Sequence, residues 1–148
     1  LRENLLAMKE LWTNDEASFT GEYVQIEPSW AWPKPTQQPH PPIIMGGDAG
    51  PKTAADIAEF CDGWMPIGGR HALDKWTEVR SACERIGRDP ATIELGVFGA
   101  RADVATLTDL ASKGVRRAVL GLPQNSRDEV LAALDEMAPL VEEMGAVE

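Results

Sequence analysis

The sequence is poor in the residue types that usually betray a site. It has two cysteines, two histidines, one tyrosine and three phenylalanines in 148 residues. Cys61 and Cys83 lie far apart in apolar helical contexts. No CxxC pair or Cys/His cluster accompanies them, so neither structural zinc nor a disulfide framework is expected. Positive charge is also scarce, with 14 Lys+Arg against 24 Asp+Glu and a net charge of −10. Without a basic run, nucleic acid and anionic membranes are not expected partners. No stretch approaches the roughly 18 apolar residues of a membrane span. No signal-peptide pattern is read, and the expected compartment is the cytoplasm. No Ser/His/Asp set, paired-carboxylate motif or metal-ligand spacing rises above chance. His40 and His71 have no partner at a recognisable spacing and are read as surface residues.

What remains suits one ordinary α/β domain, at 43% hydrophobic and 26% charged residues. The chain begins at Leu1, inside a helical pattern, which points to removed residues or to a piece of a longer protein. Leu5, Met8 and Trp12 continue that pattern and predict a helix over 2–12. Phe19-Thr20 and Tyr23-Val24 flank Gly21-Glu22 and predict a short β-hairpin. Residues 28–42 hold six of the eleven prolines, a density that no helix or central strand survives. The whole of 13–42 therefore reads as an insertion loop within a single 1–148 domain. Trp30 and Trp32, inside it, either pack the loop onto the body or wall a cleft.

From residue 43 onward a βα unit repeats four times, about every 25 residues. Strands are predicted near 43, 63, 94 and 117, each followed by a helix. Those helices cover 51–60, about 73–86, 104–113 and a stretch begun by the capping box Ser126-Arg127-Asp128-Glu129. Pro139 should kink the last one. Apolar strands without alternation belong to a parallel sheet covered by helices. A (β/α)8 barrel needs eight such units. The rhythm therefore predicts half a barrel, with a small open doubly wound sheet as the other possibility.

In parallel α/β folds, ligands sit beyond the C-terminal strand ends. Those ends are glycine-rich here: Gly46-Gly47, Gly68-Gly69, Gly99 and Gly121. The richest runs Ile44-Met45-Gly46-Gly47-Asp48-Ala49-Gly50-Pro51-Lys52-Thr53, which reads as strand, glycine turn and helix start. Glycines admit a ligand to the backbone, and a helix start offers unpaired N–H groups with partial positive charge, so a phosphate is the fitting ligand. The segment is neither a P-loop nor a full GxGxxG, and the other reading is a plain βα turn needing glycine for its dihedrals. Asp48 can cap the helix, yet its charge opposes a close phosphate. Arg70 and Arg101, after the second and third strands, could meet an anion or simply be solvated. Trp64 is read as core filler or as a ligand wall.

Several segments together resemble the luciferase-like monooxygenase family. They are Met8-Lys9-Glu10-Leu11-Trp12, Phe19-Thr20-Gly21-Glu22-Tyr23, Pro41-Pro42-Ile43-Ile44-Met45-Gly46-Gly47 and Cys61-Asp62-Gly63-Trp64-Met65-Pro66. Gly87-Arg88-Asp89-Pro90 and the stretch from Gly114 to Pro123 are similar to the family's closing segments. The likeness is to the branch using the deazaflavin coenzyme F420, with flavin mononucleotide (FMN) as the alternative. It implies a (β/α)8 barrel, of which this chain is the C-terminal half, four parallel βα units preceded by a helix, a hairpin and a Pro-rich loop. It also implies hydride transfer or monooxygenation on a small organic substrate, and a dimeric enzyme. Carried across, Gly46, Gly47, Asp48 and Thr53 would hold the cofactor phosphate, and Trp64 would line the ring-side cavity. A catalytic acid or base is expected in the other half, so the fragment alone should be inactive. It should also pair, with a second copy or with its missing half. Outside that family, the same residues read as a non-catalytic anion-binding module or a self-associating half-barrel.

Overall fold

A computed structural model of the chain describes residues 1–68 and 73–145. Gly69, Arg70 and His71 lie outside the described residues.

Helix α1 (Arg2–Thr13) comes first. The antiparallel hairpin β1 (Ala17–Thr20) and β2 (Gln25–Ser29) follows. Tyr23 and Val24 lie in its turn rather than in a strand, a correction to the sequence reading with a local cause. The Glu3 carboxylate reaches from α1 and accepts the Tyr23, Val24 and Glu22 N–H groups at 2.7, 2.9 and 3.0 Å. It holds the turn open at a width that two strand-forming residues would otherwise close.

The Pro-rich stretch forms no regular element. It is tied down by cations and polar atoms rather than by its tryptophans. Lys34 donates to the carbonyls of Leu11 and Asn14 at the end of α1, where an ammonium complements the helix dipole. Trp30 and Trp32 are 76% and 66% exposed, so they do not pack the loop onto the body. Lys34 Nζ sits 5.3 Å over the Trp32 ring. His40 is not a surface residue. Its side chain is nearly buried, its ring centroid lies 6.1 Å from that of Trp12, and Nδ1 is 2.9 Å from the Pro41 carbonyl.

The remainder is a four-stranded sheet in the order β3 (Ile44–Gly46), β4 (Gly63–Met65), β5 (Glu94–Ala100), β6 (Arg117–Leu120). Every neighbouring pair is parallel. Helices α2 (Pro51–Phe60), α3 (Trp76–Arg85), α4 (Val104–Ser112) and α5 (Arg127–Gly145) follow the strands in turn. Helix α3 starts three residues later than its apolar spacing suggested. Helix α5 runs through Pro139 as one element and opens with the reciprocal box expected of it. Ser126 N–H reaches Glu129 Oε2 at 2.9 Å, and Glu129 N–H reaches Ser126 Oγ at 3.4 Å. Among the described residues, no helix is long and apolar enough to cross a membrane.

Register sorts the sheet's side chains onto two faces, because parallel partners project to the same side. Met45, Trp64 and Leu95 are register partners, and Trp64 stacks on Trp76 of α3 at 6.2 Å. Theirs is the helix-covered face, and it holds the core. Ile57, Phe60, Trp64, Val79 and Val97 are fully buried there. Ala54, Ala58 and Ala82 belong to the same cluster and let α2 and α3 approach closely. The opposite face carries Ile44, Met65, Phe98 and Val119, together with a Glu94–Arg117 ion pair at 3.0 Å. Phe98 is 54% exposed, and Ile67, bridged to it in parallel, is 71% exposed.

Candidate functional site

The glycine turn after β3 is pinned to β4 at both ends of one residue. Gly47 N–H donates to the Met65 carbonyl at 3.2 Å, and the Gly47 carbonyl accepts Trp64 Nε1–H at 2.9 Å. Gly47 has φ +88°, a conformation that any side chain would strain. Of the residues expected to share a site, the structure thus joins Gly47 and Trp64 directly. Trp64 has 0% exposure, so it offers a ligand no surface. It is the floor that fixes the turn, not a cavity wall, because its indole faces α3.

Gly46 and Gly50 are different. A Cβ built on either would meet nothing within 4 Å, and neither has a left-handed backbone. Packing and dihedrals therefore leave both positions open to larger residues, and the space above them is free. The Gly47 N–H is already spent on Met65. The N–H groups of Asp48, Ala49, Gly50, Lys52 and Thr53 donate to no oxygen among the described residues. Pro51 stands at the first position of α2, where its lack of an N–H costs nothing. The helix N-cap is Gly50 and no side chain caps it, so Asp48 does not act as the cap. Thr53 is half-buried in the first turn. Lys52 is turned along the helix to Asp56, at 3.1 Å, rather than toward the turn. The arrangement is a run of unpaired backbone donors at a helix start beside uncrowded glycines, chemistry suited to a phosphate-sized anion.

The other candidates fall away from this turn. Arg101 is exposed and pairs with Asp103 at 3.4 Å. Asp103 also caps α4, accepting the Thr106 N–H and hydroxyl at 2.8 Å each, and these bonds hold its carboxyl below the usual range. Burial pushes the Cys61 thiol up to about 11 and raises that of Cys83, so neither is a poised nucleophile. No group of three metal-ligating side chains occurs among the described residues. A separate concavity of about 830 Å³ opens between α3 and α4, lined by Trp76, Arg80, Val97, Leu110 and Lys113 among others. The sequence reading missed it, because no periodicity reports a gap between helices. It also missed the Trp64–Gly47 bond, although an indole one strand away from a glycine turn is the available signal.

Comparison with known proteins gives a consistent picture. An uncharacterized protein of Mycobacterium tuberculosis is 36% identical over 141 residues, which is 93% of this chain and 49% of that protein. The chain thus spans about half the length of that relative. The FMNH(2)-dependent dimethylsulfone monooxygenase of Pseudomonas putida is 28% identical over 95 residues, 64% of this chain and 26% of the enzyme. Among solved structures, an F420-dependent secondary alcohol dehydrogenase, in complex with an F420-acetone adduct, superposes with a TM-score of 0.54. It is 15% identical, over 93% of this chain and 52% of that one. At that identity the likeness concerns the fold. The sequence profile of the luciferase-like monooxygenases matches residues 1–142, and the chain belongs to that family.

Proposed function

We propose that this chain is the C-terminal half of a luciferase-like barrel and carries the phosphate-binding end of an F420 or FMN site. The carrying observation is the turn from Gly46 to Thr53. It combines open space over Gly46 and Gly50 with the backbone N–H groups of Asp48, Gly50, Lys52 and Thr53, which lack a described acceptor. A cofactor's phosphate would be held there by the Asp48, Gly50, Lys52 and Thr53 amides, with the Thr53 hydroxyl as a further donor, while Ala49 is fully buried beneath them. Trp64 keeps the turn in shape from beneath. Bound F420 or FMN supplies hydride transfer or oxygen chemistry to the parent enzyme. This chain's residues bind and orient. Relatives of both cofactor types support either choice. The substrate is a small organic molecule, and no acid or base in this chain is assigned to its chemistry.

The test is an amide-resolved NMR titration of the 148-residue chain with inorganic phosphate, FMN and F420. Shifts should concentrate at Asp48, Gly50, Lys52 and Thr53. Gly47→Val should remove them, since a branched side chain strains that φ and displaces the donors. No turnover is expected from this chain alone. Shifts confined to the α3–α4 concavity, or unchanged binding in Gly47→Val, would overturn the assignment.

A further inference from the structure

The charges around the glycine turn are uneven. Its donors are the backbone amides of Asp48, Gly50, Lys52 and Thr53, at the start of α2. A helix start carries about half a positive charge. Among the described residues, no side-chain cation is directed at it. Lys52 is held by Asp56, one turn along the helix, at 3.1 Å. The neighbouring strand end, Met65-Pro66-Ile67-Gly68, is uncharged. Beyond it, Arg101 after β5 pairs with Asp103 at 3.4 Å. One full negative charge is present instead. Asp48 is exposed, its carboxylate does not cap α2, and it makes no hydrogen bond or ion pair with a described residue. No contact within the fold uses this acid, so its field falls on whatever the amides bind.

We infer that Asp48 determines specificity, making the turn prefer a singly charged phosphodiester to a doubly charged phosphomonoester. The inference rests on the phosphate reading above and deepens it. A diester carries one negative charge, shared by two free oxygens that four amides can satisfy. A monoester carries nearly two at neutral pH, its second ionisation lying near pH 6. The half charge of the helix start is smaller than the opposing charge of Asp48, so the second ligand charge meets net repulsion. The dianion also gives up more hydration, a loss that a neighbouring Lys or Arg would offset. The consequence reaches the choice of cofactor. FMN ends in a phosphomonoester, whereas F420 carries its phosphate within a diester. Asp48 therefore favours the deazaflavin, a choice that the family likeness alone leaves open.

The experiment is an amide-resolved NMR titration of the 148-residue chain with dimethyl phosphate and with methyl phosphate. It is run at low salt and about pH 7.5, where the monoester is close to doubly charged. Read from shifts at Asp48, Gly50, Lys52 and Thr53, the diester should bind about tenfold more tightly. Asp48→Asn removes the charge and keeps the size. It should strengthen the diester about threefold and the monoester about tenfold, because the second charge doubles the repulsion relieved. Asp48→Lys should go further and make the monoester the tighter ligand. The residue is exposed, so both variants should keep the parent's far-UV spectrum. F420 and FMN should follow the same order, with Asp48→Asn narrowing their difference. Equal affinities for the two methyl esters would overturn the inference, as would a ratio that Asp48→Asn leaves unchanged, and either result leaves the phosphate site standing. Absence of shifts at the turn with both esters would overturn the phosphate reading itself, and the inference with it.

Discussion

At the centre of the sheet Trp64 is fully buried, while at the β6 end Ala118 is exposed, and Leu131, Leu134 and Val141 on α5 stand in solvent. Both regions are rich in apolar residues, so hydrophobicity alone does not decide burial. What differs is the number of neighbours. Strands β4 and β5 have a strand on each side, and α2 and α3 above them close ranks through Ala54, Ala58 and Ala82. Strand β6 has one neighbour, and α5 buries only Leu140. The lesson is that a helix of a βα array is seated by the units on both sides of it, and the last unit has one side missing.

The largest expected effect tests the centre. Trp64→Ala removes a ring with no exposure, its stacking on Trp76 and its hydrogen bond to Gly47. Such truncations cost about 3–5 kcal/mol, against the roughly 5–15 kcal/mol that a domain possesses. Val141→Ala on α5 should stay within about 0.5 kcal/mol. Urea unfolding followed by far-UV circular dichroism measures both. Equal costs would erase the contrast between centre and end.

A smaller effect separates two glycines. A Cβ at Gly63 would lie 2.6 Å from Ile44 Cδ1 and 2.8 Å from the Glu94 carbonyl. The isoleucine can rotate, but the carbonyl belongs to the β5 backbone. Gly63→Ala should cost about 1–3 kcal/mol by overpacking. Gly121, just past β6, has open space around it and no left-handed φ. Gly121→Ala should be near neutral, within about 0.5 kcal/mol. Loss of stability at Gly121 as large as at Gly63 would erase the contrast between the two glycines.

How much of this was legible follows from the range of the interactions concerned. The four βα units were readable because each is local, with an apolar run, a glycine and then helical spacing. Strand β6 and helix α2 match the reading residue for residue. The hairpin turn was misread because Glu3, 19 to 21 residues away, sets its width. His40 was read as surface because its shelter comes from Trp12, across the proline stretch. The glycine turn was located correctly as a segment. Its division of labour was not visible, since the Gly47 N–H is consumed by Met65 and the Trp64 indole faces inward. Both depend on strand pairing, which no window of sequence contains.

The smallest expected effect lies at the N-terminal hairpin and depends on pH. Three backbone N–H groups, that of Tyr23 foremost and then Glu22 and Val24, hold the Glu3 carboxyl below its usual value of 4.5. A carboxyl depressed in the folded state stabilises that state above its unfolded value, and the contribution is lost as pH falls through the folded one. The turn should therefore be fully held above about pH 4.5 and loosen on acidification below that point. The site is solvent-exposed, so the loss should be local, not a collapse of the core. Amide hydrogen exchange at Tyr23 and Val24 should accelerate, relative to the intrinsic rate, on descending through this window. The buried amides around Trp64 should not follow. Glu3→Gln should give the same faster exchange at neutral pH, because an amide oxygen is a weaker acceptor than a carboxylate. Constant protection of Tyr23 through the titration would show that strand pairing, rather than Glu3, holds the turn.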